Sequence, residues 1–188
     1  MISRTEKEKL LKQKSVVIWL TGLSGSGKTT LAESIEIELF GKGYFAQILD
    51  GDNVRSGINR NLGFSEQDRE ENIRRIAEIS VLFVNSGIIC INCFISPTQK
   101  IRQMARDIIG NENFVEIFLN ASLEVCEKRD VKGLYKMARD GRIKDFTGIE
   151  SPYEIPVNPD LEINSGVLSI EEATEKCMSL IMERVKRI

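Results

Sequence analysis

The stretch Gly22-Leu23-Ser24-Gly25-Ser26-Gly27-Lys28-Thr29 restricts the possible folds of this chain more than any other segment. It matches G-x-x-x-x-G-K-[ST], a pattern whose meaning depends on what flanks it. Residues 15–20, S-V-V-I-W-L, form a continuous apolar run with β-branched side chains, as in a strand buried on both faces. After the motif, Leu31, Ile35 and Leu39 recur every four residues until Gly41 and Gly43 supply a helix stop. A glycine-rich turn between such a strand and helix lets backbone N–H groups close around phosphate oxygens. The helix N-terminus adds partial positive charge, and Lys28 reaches the β- and γ-phosphates. Thr29 offers its hydroxyl to Mg²⁺, with Thr30 beside it in the first turn. Nucleotide binding is the expectation.

The same alternation continues along the chain. Strands are expected at 45–49, 88–94, 114–119 and 161–163. Helices are expected from Ser65 to near Gly87, from a Ser96 cap with Pro97 as first helical residue to about 109, over 123–129, and from a Ser169/Glu172 capping box onward. Strands separated by helices pair in parallel, because a parallel pair needs a long crossover. The expected fold class is α/β: a three-layer α/β/α P-loop NTPase sandwich with a mostly parallel sheet. Residues 1–14 read as a polar extension and 15–188 as a single domain. Residues 130–159 are charged, weakly periodic and too long for an ordinary connection, which marks them as a lid.

Composition narrows the partners. With 26 basic against 28 acidic residues there is no global positive field to hold nucleic acid, so anions must be handled locally. No apolar run is long enough to span a bilayer, and the polar start lacks a secretory apolar stretch, so a cytoplasmic protein without membrane partners is expected. Cys90 and Cys93 form C-x-x-C, but an offset of three in a strand sends the thiols to opposite faces, and the chain has no histidine. Packed, reduced thiols are expected.

A phosphate cradle alone does not choose among kinases, GTPases and motors. No N-K-x-D guanine motif is present, and the size of the chain, its acidic pair and its Arg-containing lid favour a kinase of small molecules. The acidic pair lies in Asp50-Gly51-Asp52-Asn53-Val54-Arg55, at the carboxyl end of the second strand, where open α/β sheets bind ligands. Two carboxylates there can hold Mg²⁺ through water and accept a hydroxyl proton, while Arg55 can pair with an anion. Taken alone, these residues also suit a solvated turn.

Beyond these features the chain resembles the adenylylsulfate kinase family. The resemblance rests on G-L-S-G-S-G-K-T, L-D-G-D-N-V-R, L-G-F-S at 62–65, D-R-E-E-N-I-R-R at 68–75, F-I-S-P at 94–97, K-G-L-Y at 132–135 and F-T-G-I at 146–149. It implies ATP and Mg²⁺ as cofactors, adenylylsulfate as phosphate acceptor, a homodimer, and a sulfurylase as candidate partner. It further implies that Asp52 orients or deprotonates the acceptor 3′-hydroxyl, with Asp50 supporting it and the magnesium. Asn53, Arg55, Arg69 and Asn72 hold the acceptor, Phe64 and Phe146 sandwich its adenine, and Ile95 and Ser96 line its pocket, Ser96 also counting, as the family's proposed phosphoserine, among the catalytic residues with Lys28, Asp50, Asp52 and Lys132. Lys132 neutralises charge between donor and acceptor, and Arg129 packs on the ATP adenine. In residue terms, Arg69 and Asn72 share one helical side, and Phe146 stands in a charged segment that suits a ligand contact better than a core. A kinase of another small anionic metabolite or nucleotide, and a silent nucleotide-binding partner of a sulfurylase, are the competing readings.

Overall fold

The computed structural model describes residues 1–186. Its five strands form one sheet in the order β2-β3-β1-β4-β5, every pairing parallel. The strands are β1 (Val17–Thr21), β2 (Ala46–Asp50), β3 (Ile89–Cys93), β4 (Phe114–Leu119) and β5 (Leu161–Ile163). The helices are α1 (Arg4–Leu11), α2 (Lys28–Gly41), α3 (Gly51–Ser56), α4 (Glu66–Asn85), α5 (Gln99–Ile109), α6 (Leu123–Arg129), α7 (Leu134–Arg139) and α8 (Ile170–Arg184).

The period-two alternation of β1 sorts its side chains into two cores. Val16, Ile18 and Leu20 pack with Leu31 and Ile35 of α2 and with Cys177 and Ile181 of α8. Val17 and Trp19 face the opposite way, onto Ile73 and Ile76 of α4 and Ile101 and Ala105 of α5. The sheet is therefore sandwiched between two helical layers, and both of its central faces are dry. Cys90 and Cys93 fall in different cores, as their offset of three requires, and all four cysteines are free and buried.

Three local features depart from the sequence reading. Residues 1–14 contain α1, started by a capping box between Ser3 and Glu6 and tied down through Gln13, whose amide bridges Phe45 and Gly87. The segment 130–159 contains α7. Ser96 does not cap α5. Thr98 does, its hydroxyl accepting from Ile101 N–H, and the helix begins at Gln99. Ser96 has φ +40°, a left-handed conformation incompatible with a standard N-cap, and its hydroxyl is engaged elsewhere. Among the described residues no helix is long and apolar enough to cross a membrane.

Candidate active site

All five strands run the same way, so the carboxyl ends of β1, β2, β3 and β4 open on one edge of the sheet. The phosphate-binding loop leaves β1 there. Its glycines are required by space and by conformation. A Cβ at Gly22 would lie 2.7 Å from the Leu119 carbonyl oxygen and 2.8 Å from Ser26 Oγ, and Gly27 turns into α2 at φ +96°. Gly27 gives α2 no side-chain cap, whereas Ser, Thr or Asp side chains cap α1, α3, α4, α5, α6 and α8. The first amides of α2 are thus left for an external acceptor. Ser26 Oγ is buried in the same loop without a partner. Lys28 Nζ lies across the loop on the carbonyls of Gly22 (2.9 Å) and Leu23 (2.8 Å), and burial lowers its pKa to about 8. Uncapped amides, an orphaned hydroxyl and a cation held only by neutral carbonyls fit a polyphosphate.

Thr29, the next residue, donates its hydroxyl to Asp50 Oδ2 at 2.8 Å. Asp50 ends β2, and its other oxygen accepts the Asp52 N–H at 2.9 Å, capping α3. Two hard oxygens therefore meet beside the phosphate loop, the donor type a magnesium ion selects. Among the described residues no group of three or more His, Cys, Asp or Glu could hold a metal ion.

Across the cleft, α3 carries Asp52, Asn53 and Arg55, and α4 carries Arg69 and Asn72. Arg55 donates to the carbonyls of Leu62 (3.2 Å) and Gly63 (2.8 Å), and its guanidinium sits 4.5 Å from the centre of the Phe64 ring. Burial lowers the pKa of both Arg55 and Arg69, and Arg69 further disfavours the charge on Arg55. Two half-buried cations that repel each other are a setting for an anion. Asn72 is buried, and its Oδ1 accepts from Asn59 Nδ2 at 3.0 Å.

Residues of the segment 130–159 contact this arrangement on both sides. Lys132 pairs with Asp52. Tyr135 donates its hydroxyl to the Ser24 carbonyl at 2.8 Å, tying α7 to the phosphate loop. Arg69 Nε donates to the Phe64 carbonyl at 2.8 Å, and its two terminal nitrogens hold the Asp145 carbonyl and the Thr147 hydroxyl. One guanidinium thus holds the backbone at Phe64 and at Asp145 and the side chain of Thr147, the two residues that flank Phe146. The two rings have different partners: Phe64 is 61% exposed under Arg55, while Phe146 packs edge-on to Tyr135 at 5.0 Å, in a small cluster with Cys126 and Leu23. Phe146 is therefore partly a core residue of the lid, contrary to the expectation from its charged neighbours. Arg129 links the Gly25 carbonyl (3.3 Å) to the Ser165 carbonyl (2.6 Å), at the outer side of the phosphate loop.

Ile95 and Ser96 follow β3. The Trp19 indole N–H donates to Ser96 Oγ at 3.1 Å, Ser96 donates to Thr21 Oγ1 at 2.9 Å, and Thr21 donates to the Ile95 carbonyl at 2.7 Å. The Tyr153 hydroxyl joins Thr21 at 3.0 Å. Sequence reasoning missed Thr21, Tyr135, Thr147 and Tyr153. Tyr135 and Thr147 stand inside the quoted K-G-L-Y and F-T-G-I motifs without a role being read for them, and Thr21 and Tyr153 lie outside every motif; each makes its contact across the fold.

The sequence and the structure can be set beside known proteins. The family model for adenylylsulphate kinase matches residues 14–164. The adenylyl-sulfate kinase of Bacteroides fragilis is 56% identical over 187 residues, covering 100% of this chain and 93% of that protein. That of Phocaeicola vulgatus is 57% identical over 182 residues, covering 97% and 89%. Among solved structures, the APS kinase CysC of Mycobacterium tuberculosis in complex with AMPPNP and APS superposes with a TM-score of 0.86 at 43% identity, covering 89% of this chain and 98% of that one. The chain belongs to the adenylylsulfate kinase family.

Proposed function

We propose that this enzyme transfers the γ-phosphate of ATP to the 3′-hydroxyl of adenylylsulfate, giving 3′-phosphoadenylylsulfate and ADP in sulfate assimilation. The observation that carries the reading is the facing of two anion sites across one sheet edge, with the Asp52–Lys132 pair at their boundary. On one side stand the uncapped α2 amides and Lys28, on the other Arg55 and Arg69.

Phosphoryl transfer asks a protein mainly to position its reactants and neutralise charge. Gly22, Leu23, Ser24, Gly25, Ser26 and Gly27 wrap the donor phosphates, Lys28 exchanges its two carbonyl contacts for phosphate oxygens, and Thr30 and Arg129 border the nucleotide. Thr29 and Asp50 would hold Mg²⁺, which when bound neutralises charge on the phosphates. Arg55, Arg69, Asn53 and Asn72 orient the acceptor, with Ile95 and Ser96 along its wall and Phe64 and Phe146 offering flat apolar faces to its adenine. Asp52 accepts the proton of the attacking hydroxyl through its carboxylate. Lys132 leaves Asp52 for the oxygens between donor and acceptor, so lid closure and charge neutralisation coincide. Ser96, whose hydroxyl is enclosed by Trp19 and Thr21, acts as a wall residue. Residues 130–159 act as the lid, excluding water from the transfer.

Incubation with ATP, Mg²⁺ and adenylylsulfate should yield a product heavier than the acceptor by one phosphoryl group, detected by mass spectrometry together with stoichiometric ADP. ADP release with another small anion but none with adenylylsulfate would overturn the assignment. Homodimerisation and handover from a sulfurylase belong to the same proposal and are read by light scattering and by coupled turnover with that enzyme.

A further inference from the structure

Arg102 belongs to α5, behind the cleft, and is only 4% exposed. A buried arginine normally answers to a carboxylate, and Arg102 Nε does lie 3.2 Å from Glu116 Oε1. Its two terminal nitrogens, however, go to backbone carbonyls of two separate segments that border the site. Nη1 donates to Ser96 at 2.7 Å and Nη2 to Glu154 at 2.7 Å. Among the described residues Ser96 is one of three non-glycine residues with φ well into the left-handed region, a conformation that persists only where its surroundings over-determine it. Glu154 lies where the lid returns to the body. Its N–H donates to the Pro97 carbonyl at 2.8 Å, and its carboxylate accepts the Gln99 N–H at 2.6 Å. The adjacent Tyr153 hydroxyl reaches Thr21, which in turn accepts from Ser96.

We propose that Arg102 is a positioning residue for the acceptor: its guanidinium fork locks the wall residue Ser96 and the C-terminal root of the lid into one unit. The proposal rests on the placement of Ile95 and Ser96 in the acceptor wall. The planar fork is essential, because a lysine ammonium can reach one carbonyl but cannot bridge two in fixed directions. Tyr153 is the second member of the unit, coupling the lid root to the end of β1. Arg106 is the natural control. It shares Glu116 with Arg102 at 3.2 Å and lies over Phe114, but it is bonded to neither Ser96 nor Glu154.

The test compares wild type, Arg102→Lys, Tyr153→Phe and Arg106→Gln by KM for each substrate, melting temperature and hydrogen exchange. For Arg102→Lys the KM for adenylylsulfate should rise roughly tenfold, and for Tyr153→Phe about threefold, with the KM for ATP within about twofold of wild type in both. Exchange at 95–99 and 153–155 should quicken in both variants. Arg106→Gln should melt earlier yet keep both KM values. An unchanged adenylylsulfate KM in Arg102→Lys, with exchange loosened or the melting temperature lowered, makes the residue a structural brace and overturns the proposal, as does a parallel rise of both KM values. If Arg102→Lys does not fold, Tyr153→Phe decides alone, and an unchanged acceptor KM there overturns it. Product formation by wild type separates this failure from that of the kinase assignment, whose loss would remove the proposal as well.

Discussion

Replacing Arg69 by alanine removes a side chain that ties the backbone at Phe64 to the Asp145 carbonyl and the Thr147 hydroxyl, on either side of Phe146. Two of its bonds reach the lid, to the Asp145 carbonyl and the Thr147 hydroxyl. Fully buried charged donors contribute about 1.5–3 kcal/mol each, but Arg69 is half-buried, so about 1 kcal/mol per bond is appropriate. The loss of about 2 kcal/mol corresponds to roughly a 30-fold weaker acceptor complex. ATP affinity should change by less than about twofold, because the phosphate loop and Arg129 are untouched. Arg69→Lys should fall between, keeping the charge and losing the fork. The assay is direct titration of each ligand, with KM values for both substrates measured alongside. Collapse of ATP binding with adenylylsulfate binding preserved would refute the argument, since it would place Arg69 in the donor pocket.

Lys28→Ala should leave a folded protein with transfer reduced at least about 100-fold, because the donor phosphate loses its main side-chain cation; near-normal turnover would remove the loop from the mechanism. Residues 130–152 should exchange amide hydrogen faster in the empty enzyme than with both ligands bound, while the Glu154 N–H remains protected throughout by its bond to the Pro97 carbonyl; equal protection of the whole lid in both states contradicts its closure. Burial pushes the thiols of Cys90 and Cys177 up to about 12 and raises those of Cys93 and Cys126, so all four should resist iodoacetamide at pH 8 until the chain unfolds. Stoichiometric labelling of the native enzyme would contradict the packing.

Legibility from sequence followed the range of the interactions involved. The phosphate loop, its strand and its helix are local, and the segments 114–119 and 161–163 appear as β4 and β5 without adjustment. Caps were legible where only neighbours compete, as in the Ser169/Glu172 box of α8. Ser96-Pro97 had the letters of a helix start, but Trp19 and Thr21, far away in sequence, claim the hydroxyl and hand the cap to Thr98. Helix α7 was hidden because it is capped from outside: both Asp130 oxygens accept, from the N–H groups of Tyr135 and Lys136, across a glycine. Phe146 was legible as a lid residue, but its packing on Tyr135 was not, since the contact exists only once α7 folds back onto the phosphate loop.

The buried Trp19 also makes this enzyme a self-reporting molecule. It is the sole tryptophan, fully enclosed, stacked on Phe114 at 5.4 Å, with its indole N–H on Ser96 Oγ. Its emission should be blue-shifted in the native state and should respond to whatever touches the far side of Ser96. With Ser96 in the acceptor wall as proposed, the acceptor should perturb that signal, whereas a nucleotide held by the phosphate loop should leave it nearly silent. An unlabelled fluorescence titration can then follow filling of one half of the cleft independently of the other, using a reporter that the hydrophobic core supplies.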